Sequence, residues 1–308
     1  MTPAVTVVAG GVGAARLLGG LVQVVDPSTI AAVVNTGDDL VLHGLSISPD
    51  LDTITYTLAD AVDPERGWGL RGETWQAMDA LGRYGGVTWF NLGDRDLGTH
   101  LYRTHRLRDG LSLTEVTAEI TRAWGLGLSL LPMSDDPVRT MITVVDEGEI
   151  GFQDYFVRRR HDVEAPAKRI AVADEAAASP GALAALAEAE RVVIAPSNPL
   201  VSIAPVLAVP GLREAVEARR EDCVAVSPII AGTTVKGPAD RLLRELGHDV
   251  SVVGVARLYA PLAARLVIDE ADAALADAVA AEGIDPIVAP TMMHGPPEAA
   301  ALARVVLS

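Results

Sequence analysis

The chain has one cysteine, Cys223, in 308 residues. It can therefore build neither an intramolecular disulfide nor a zinc site of several thiolates, and a reducing, cytoplasmic setting is expected. Lysine is almost absent, with Lys168 and Lys236 the only two. No Lys/Arg cluster is long enough to draw duplex DNA by counterion release, and a formal net charge of −16 repels polyanions, so nucleic acid is excluded as a partner. No apolar run has membrane-spanning length, and the opening VTVVAG has no basic segment ahead of it. Neither a leader nor a membrane anchor is expected.

Apolar residues make up 49% of the chain and charged residues 21%. That balance fits a compact enzyme, and the length fits one large α/β unit carrying an insertion, or two domains. A phosphate-bearing ligand on so acidic a protein must be held locally, by helix N-termini, a few basic side chains or a bound cation.

Val5–Ala9 reads as a buried strand, Gly10–Gly13 as a turn, residues 14–25 as a helix and residues 30–35 as a second strand. This βαβ opening implies a parallel sheet. Helical signals dominate from 43 to 131. Ser48-Pro49-Asp50 looks like an N-cap, a first-turn proline and an acidic first turn. Residues 53–58 alternate like a strand, but a helix is favoured. A helix is expected over 74–83 with Trp75, Met78 and Leu81 on one face, and Ser112-Leu113-Thr114-Glu115 is a capping box. Residues 139–145 and 150–157 resemble a hairpin. After Ala165-Pro166 the strand pattern resumes at 191–195, 223–226, 250–255, 266–268 and 287–289. The expected architecture is a Rossmann-like, doubly wound, mostly parallel sheet. Its nucleotide-binding core covers 1–43 and 166–308, and a mainly helical region with a β-hairpin is inserted over 44–165.

The loop holding Gly10, Gly11 and Gly13 can seat a phosphate against the following helix. A nicotinamide fingerprint would need a glycine at position 16, which is Arg16, and an acid where the second strand ends in Asn35. A different nucleotide or phosphate site, or a structural turn, fits better. Asp38 and Asp39 follow the carboxyl end of the second strand, where ligand crevices lie, and Asp50 and Asp52 sit in the next first turn. Capping explains one or two of these four; a metal or a hydroxyl explains the rest.

Asp94 and Asp96, in Asn91-Leu92-Gly93-Asp94-Arg95-Asp96, read equally as a site and as a helix cap. His100 and His105 are five apart, off the spacing that shares one helical face, which argues against a histidine metal site. Asp135 and Asp136 read as turn chemistry. Ser197 and Asn198 follow a buried strand and offer polar groups to a base or sugar. Lys236 lies in a strand-to-helix loop, where it meets a phosphate or simply solvent.

Together GGVGAARLL, VVNTGDD, SPDLDTITY, NLGDRDLGTH, LPMSDDPVRT, APSNPLVSI and SPIIAGTTVKGPAD resemble the 2-phospho-L-lactate transferase family of coenzyme F-420 biosynthesis. The resemblance implies a homodimer and magnesium dependence. It implies transfer of a 2-phospholactyl or phosphoenolpyruvyl group from its guanosine diphosphate ester to the deazaflavin alcohol Fo, with release of GMP. Carried over by residue, the acidic site falls on Asp38, Asp39, Asp50 and Asp52, the Fo contacts on Asp52 and Asn91, and the nucleotide region on the glycine loop and Ser197-Asn198. The working assignment is Asp38 and Asp50 as magnesium ligands, with Asp39 or Asp52 orienting or deprotonating the acceptor hydroxyl. The rivals are a nucleotide-sugar-binding regulator of the same superfamily and a nicotinamide-dependent dehydrogenase.

Overall fold

The computed structural model describes residues 3–159, 167–172, 176–234 and 239–308. The strands run β1 Val5–Ala9, β2 Ile30–Val34, β3 Leu40–Leu42, β4 Leu45–Ile47, β5 Ser129–Pro132, β6 Val138–Val144, β7 Gly148–Gly151, β8 Ala167–Val172, β9 Arg191–Ile194, β10 Cys223–Val226, β11 Ile229–Ile230, β12 Thr233–Thr234, β13 Arg265–Ile268 and β14 Asp285–Val288. Seven of them form one sheet in the order β14-β13-β10-β9-β1-β2-β5. Every pairing in it is parallel. The order reverses between β1 and β9, so the carboxyl ends of these two strands open the crevice in which such sheets bind ligands.

Continuous apolar strands need cover on both faces. Val5, Val7 and Ala9 of β1 pack with helix α1, Gly11–Leu21, and with the C-terminal helix Pro296–Leu307. Val8, from the other face of β1, joins Val192, Ile194, Val206 and Val255 in a second core. Leu17, Leu18 and Leu21 are fully buried, and burying a leucine contributes about 1.5–3 kcal/mol.

Helix α1 begins at Gly11, not after Gly13 as expected, so the glycine motif is itself the first helical turn. Helix α2 spans Pro49–Leu58, which settles the choice between helix and strand there. Leu51 and Ile54 of α2 join the core beneath α1. Helices α3 Gln76–Arg83, α4 Asp96–Arg108 and α5 Leu113–Ala123 follow, and α5 carries the expected capping box. Met78 packs with Ile47 and Leu92 in a small satellite core, with Trp75 and Leu81 against it.

Three details depart from expectation. Strand β5, inside the stretch read as insertion, returns to pair with β2 at the sheet edge, so the excursion from the sheet is split in two. The expected boundary at 165/166 lies outside the described residues. The strand expected at 250–255 is a helix, Val252–Tyr259, capped by the Ser251 hydroxyl, which accepts the Gly254 N–H at 3.1 Å. Val252, Val255, Ala256 and Tyr259 keep helical spacing, and packing overrides the β preference of valine. The hairpin β6–β7 is present with β8 as a third strand, but residues 154–158 form a π-helical turn in place of the expected strand.

Candidate active site

A cavity of about 800 Å³ opens at the reversal of strand order. On one side it is lined by Gly10, Gly11, Gly13 and Arg16 after β1 and by Pro196, Ser197 and Asn198 after β9. The two loops touch. A Cβ at Gly13 would lie 2.1 Å from the Pro196 carbonyl oxygen, so only glycine lets them approach. The Ser197 hydroxyl donates to the Gly10 carbonyl at 2.7 Å, and the Asn198 side chain accepts the Leu200 N–H at 2.9 Å. Both expected ligand residues thus line the cavity while shaping its wall. Lys236 falls outside the described residues.

The floor is acidic. Asp38, Asp50, Asp52 and Asp96 line it, and three of these, all but Asp96, are more than nine-tenths buried. Asp50 and Asp52 are two residues apart on α2, about 200° around the helix, and their side chains enter different clusters. Asp50 turns toward the start of α1. Asn35 Nδ2 donates to its Oδ2 at 2.9 Å, and the Gly11 N–H donates to it as well. Burial pushes the Asp50 carboxyl up to about 6 against these two bonds. Asp38 is raised well above the ordinary carboxylate range by burial, then by the charges of Asp50 and Asp39. Its buried Oδ1 has no hydrogen-bond partner among the described residues. Two buried carboxylates that repel each other, one with an orphan oxygen, form an oxygen-only donor set suited to a hard divalent cation such as Mg²⁺.

Asp52 turns the other way, toward α4. Arg103 Nη1 donates to its Oδ2 at 3.1 Å and Nη2 to its Oδ1. His100 Nδ1 lies 3.7 Å from Asp52 Oδ2, and its Nε2 lies 3.1 Å from Asp96 Oδ2. The Tyr56 hydroxyl donates to Asp96 Oδ1 at 2.6 Å. Burial pushes the Asp96 carboxyl up, but the His100 bond and charge and the Tyr56 hydroxyl outweigh it and hold it below its ordinary value. Burial also drives the Tyr56 phenol well upward. Asp52, Asp96 and His100 offer ligand atoms within 4.8 Å of one another and are positioned to bind a metal ion. On Asp52, however, both oxygens already receive the guanidinium.

Two expected site residues stand elsewhere. Asp39 does not line the cavity; it accepts the Ser48 hydroxyl at 2.7 Å, and burial pushes it up to about 8. Ser48, read as an N-cap, therefore makes no capping bond. Asp94 accepts the N–H groups of Gln76 and Ala77 at 3.0 Å each and caps α3, while Glu73 does the same for α4 through Arg95 and Asp96. The carboxylate of Asp94 is used up in that cap. Asp135 accepts the Thr114 N–H at 2.7 Å and Asp136 the Ala177 N–H at 3.1 Å, so both carboxylates are structural, but they hold distant segments in place of the expected local turn.

The far wall is aromatic. Tyr56, Trp68, Trp89, Phe90, Phe152 and Phe156 line the cavity, with Asn91 at its rim. These include all three phenylalanines and half of the chain's twelve aromatics, in a protein that is only 4% aromatic. Phe152 and Phe156 stack with ring centroids 5.5 Å apart and planes 4° from parallel. Sequence reasoning missed this wall, along with Asn35, His100 and Arg103. For the last two a signal existed: Asp96, His100 and Arg103 are spaced i, i+4, i+7, one polar face of a single helix. His100 was weighed against His105 instead.

Fold and cavity define a Rossmann-type α/β protein with its ligand crevice at the switch point of the sheet. The sequence profile of the family 2-phospho-L-lactate transferase CofD matches residues 5–292. A phosphoenolpyruvate transferase of Kitasatospora aureofaciens is 43% identical over 99% of this chain and 97% of its own. Those of Streptomyces griseus and Mycobacterium ulcerans are each 43% identical over 98% of this chain and 97% of theirs. In fold, a Bacillus halodurans protein of the UPF0052 family superposes with a TM-score of 0.62 at 17% identity, covering 100% of this chain and 99% of its own. The chain belongs to the 2-phospho-L-lactate transferase family, and with it to the transferases of coenzyme F-420 biosynthesis. That family acts on a GDP-activated donor and a deazaflavin acceptor. Neither the regulator nor the dehydrogenase reading is favoured. Among the described residues, no helix is long and apolar enough to cross a membrane.

Proposed function

We propose that this protein moves a phosphoenolpyruvyl or 2-phospholactyl group from its guanosine diphosphate ester to the terminal ribityl hydroxyl of Fo, releasing GMP, as a magnesium-dependent cytoplasmic homodimer. The hydroxyl oxygen forms the new P–O bond, the anhydride bond to GMP breaks, and the hydroxyl proton leaves to a base. The enolpyruvyl donor is supported by the name shared by relatives 43% identical to this chain. The observation that carries the reading is one cavity in which the glycine turn, the Asp38–Asp50 pair and an aromatic wall meet.

Phosphoryl transfer asks chiefly for alignment and charge neutralisation. The N–H groups of the first turn of α1 after Gly11, whose own N–H is given to Asp50, face the diphosphate, and Arg16 adds a cation at the cavity edge. Asp38 and Asp50 would hold magnesium, which supplies the positive charge that bare carboxylates deny a diphosphate. Asp52 accepts the hydroxyl of Fo while Asn91 and the aromatic side chains hold its ring. Asp39, half-buried and bonded to Ser48 outside the cavity lining, supports the start of α2 in this reading. Incubation with Fo, magnesium and each donor in turn, read by product mass and GMP release, tests this. Absence of a phosphodiester product with every donor would overturn it.

A further inference from the structure

We infer that Arg103 is a positioning residue of the transfer: it fixes the Asp52 carboxylate as the acceptor of the substrate hydroxyl, and it does so without engaging the Asp38–Asp50 pair. The inference deepens the transferase reading and rests on it. Arg103 is 1% exposed and lies behind the cavity, not among its lining residues, whereas Asp52 lines it. The guanidinium therefore acts on substrate through the lining side chains it touches, Asp52 by two hydrogen bonds and His100 by one longer contact.

A buried arginine is costly unless its charge and donors are matched. Here Nη1 and Nη2 each take one Asp52 oxygen and Nη1 also reaches the Ser46 carbonyl at 3.4 Å, while Nε has no partner among the described residues, so the Asp52 carboxylate carries most of the match. A planar fork on two oxygens sets the plane of a carboxylate as well as its position, which a lysine cannot do. His100 supports the same group from the side: its Nδ1 is 3.4 Å from Arg103 Nη1, while Asp96, itself held by the Tyr56 hydroxyl, braces its far edge. Asp50 is served instead by Asn35 and Gly11. The acidic floor is thus divided into a half that a guanidinium has already neutralised and a half left for a cation. Asp39 also feels the Arg103 charge, so the test must separate a route through Asp39 from the one through Asp52.

The test is a double-mutant cycle on the full chain with Arg103→Lys, Asp52→Asn and the pair; Arg103→Lys keeps the charge, Asp52→Asn leaves a buried cation opposite a neutral amide, and melting curves establish that each variant is folded before its kinetics are compared. Arg103→Lys is expected to lower kcat/KM for Fo about 10- to 100-fold. The donor KM and the magnesium concentration for half-maximal rate should stay at wild-type values. In the Asp52→Asn background the same change should cost less than about twofold, because the group it acts through is gone. Wild-type turnover by Arg103→Lys overturns the inference, as does an equal loss in both backgrounds or a shifted magnesium requirement. Loss of melting temperature with unchanged kinetics would reduce Arg103 to a structural residue and overturn it too. A wild-type protein that turns over no donor overturns the transferase reading together with this one; turnover by wild type with an indifferent Arg103→Lys overturns this one alone.

Discussion

Asn35 Nδ2 lies 2.9 Å from Asp50 Oδ2, and Asn35 Oδ1 accepts the Gly37 N–H at 2.8 Å. The second bond fixes which way the amide points, so the first presents an N–H to a buried carboxylate. In a dinucleotide fold the end of this strand carries an acid for a ribose. An acid here would set a third negative charge against Asp38 and Asp50. The amide lets the end of β2 hold Asp50 in place while leaving its charge for a cation.

Asp50→Asn is expected to lower turnover by about 100-fold or more while raising the melting temperature of metal-free protein by a few degrees at pH 8. The carboxyl is pushed up to about 6 because its ionised form is buried beside another acid. Removing it relieves that repulsion. Steady-state kinetics and a thermal melt on the same preparation check both halves; full activity with unchanged magnesium dependence would remove Asp50 from the metal site.

The raised carboxyls also set a pH dependence. Asp39 titrates near 8 and Asp50 near 6 in the folded chain, against 3.8 as the ordinary value. Between about pH 4 and 8 the folded state then binds more protons than the unfolded state, so metal-free stability falls as pH rises through that window. A cation bound by ionised carboxylates opposes the trend, because its binding releases protons. The stabilisation conferred by magnesium should therefore grow from pH 5.5 to 8.5. Melting curves with and without magnesium across that range measure it, and a constant or shrinking gain contradicts the assignment.

How far the sequence carried these conclusions depends on the range of the interaction. The Pro49 helix start and the Ser112 capping box were legible because each rests on neighbours within one helical turn, and the βαβ opening because its two apolar runs and the helix between them follow one another along the chain. The strand-order reversal was not, since nothing in the segments 5–9 and 191–194 states that they pair with each other. Asp50 and Asp52 were both marked as site residues. Their separation into two clusters needed the position of α4, from a segment some fifty residues downstream. Asp94 and Asp96 have the same local sequence character; only the distant Thr74–Ala77 segment turns one into a cap.

Gly11 and Gly13 should respond differently to alanine although they stand two residues apart. Gly13 faces the Pro196 carbonyl, which an added Cβ would meet at 2.1 Å. Loops from β1 and β9 would have to part, costing about 3 kcal/mol and weakening GMP binding. Gly11 has a φ of 70° with no atom within 4 Å of an added Cβ, so alanine there costs about 1 kcal/mol of backbone strain. Denaturant melts and GMP titration of the two variants compare them. Equal losses would mean that close approach of the two loops does not shape the crevice.

The aromatic wall supplies the test that separates acceptor from donor binding. Trp89 and Phe90 meet edge to face with centroids 5.8 Å apart, and both come from the region between α3 and α4, a different segment from the glycine turn. A flat tricyclic ring stacked there gains about 1 kcal/mol per aromatic contact beyond simple burial. Trp89→Ala should therefore raise the KM for Fo about 5- to 10-fold, with the donor KM unchanged and quenching of intrinsic fluorescence by Fo reduced. A variant that loses donor affinity instead would place the nucleotide, not the deazaflavin, against this wall and would reverse the orientation of both substrates in the cavity.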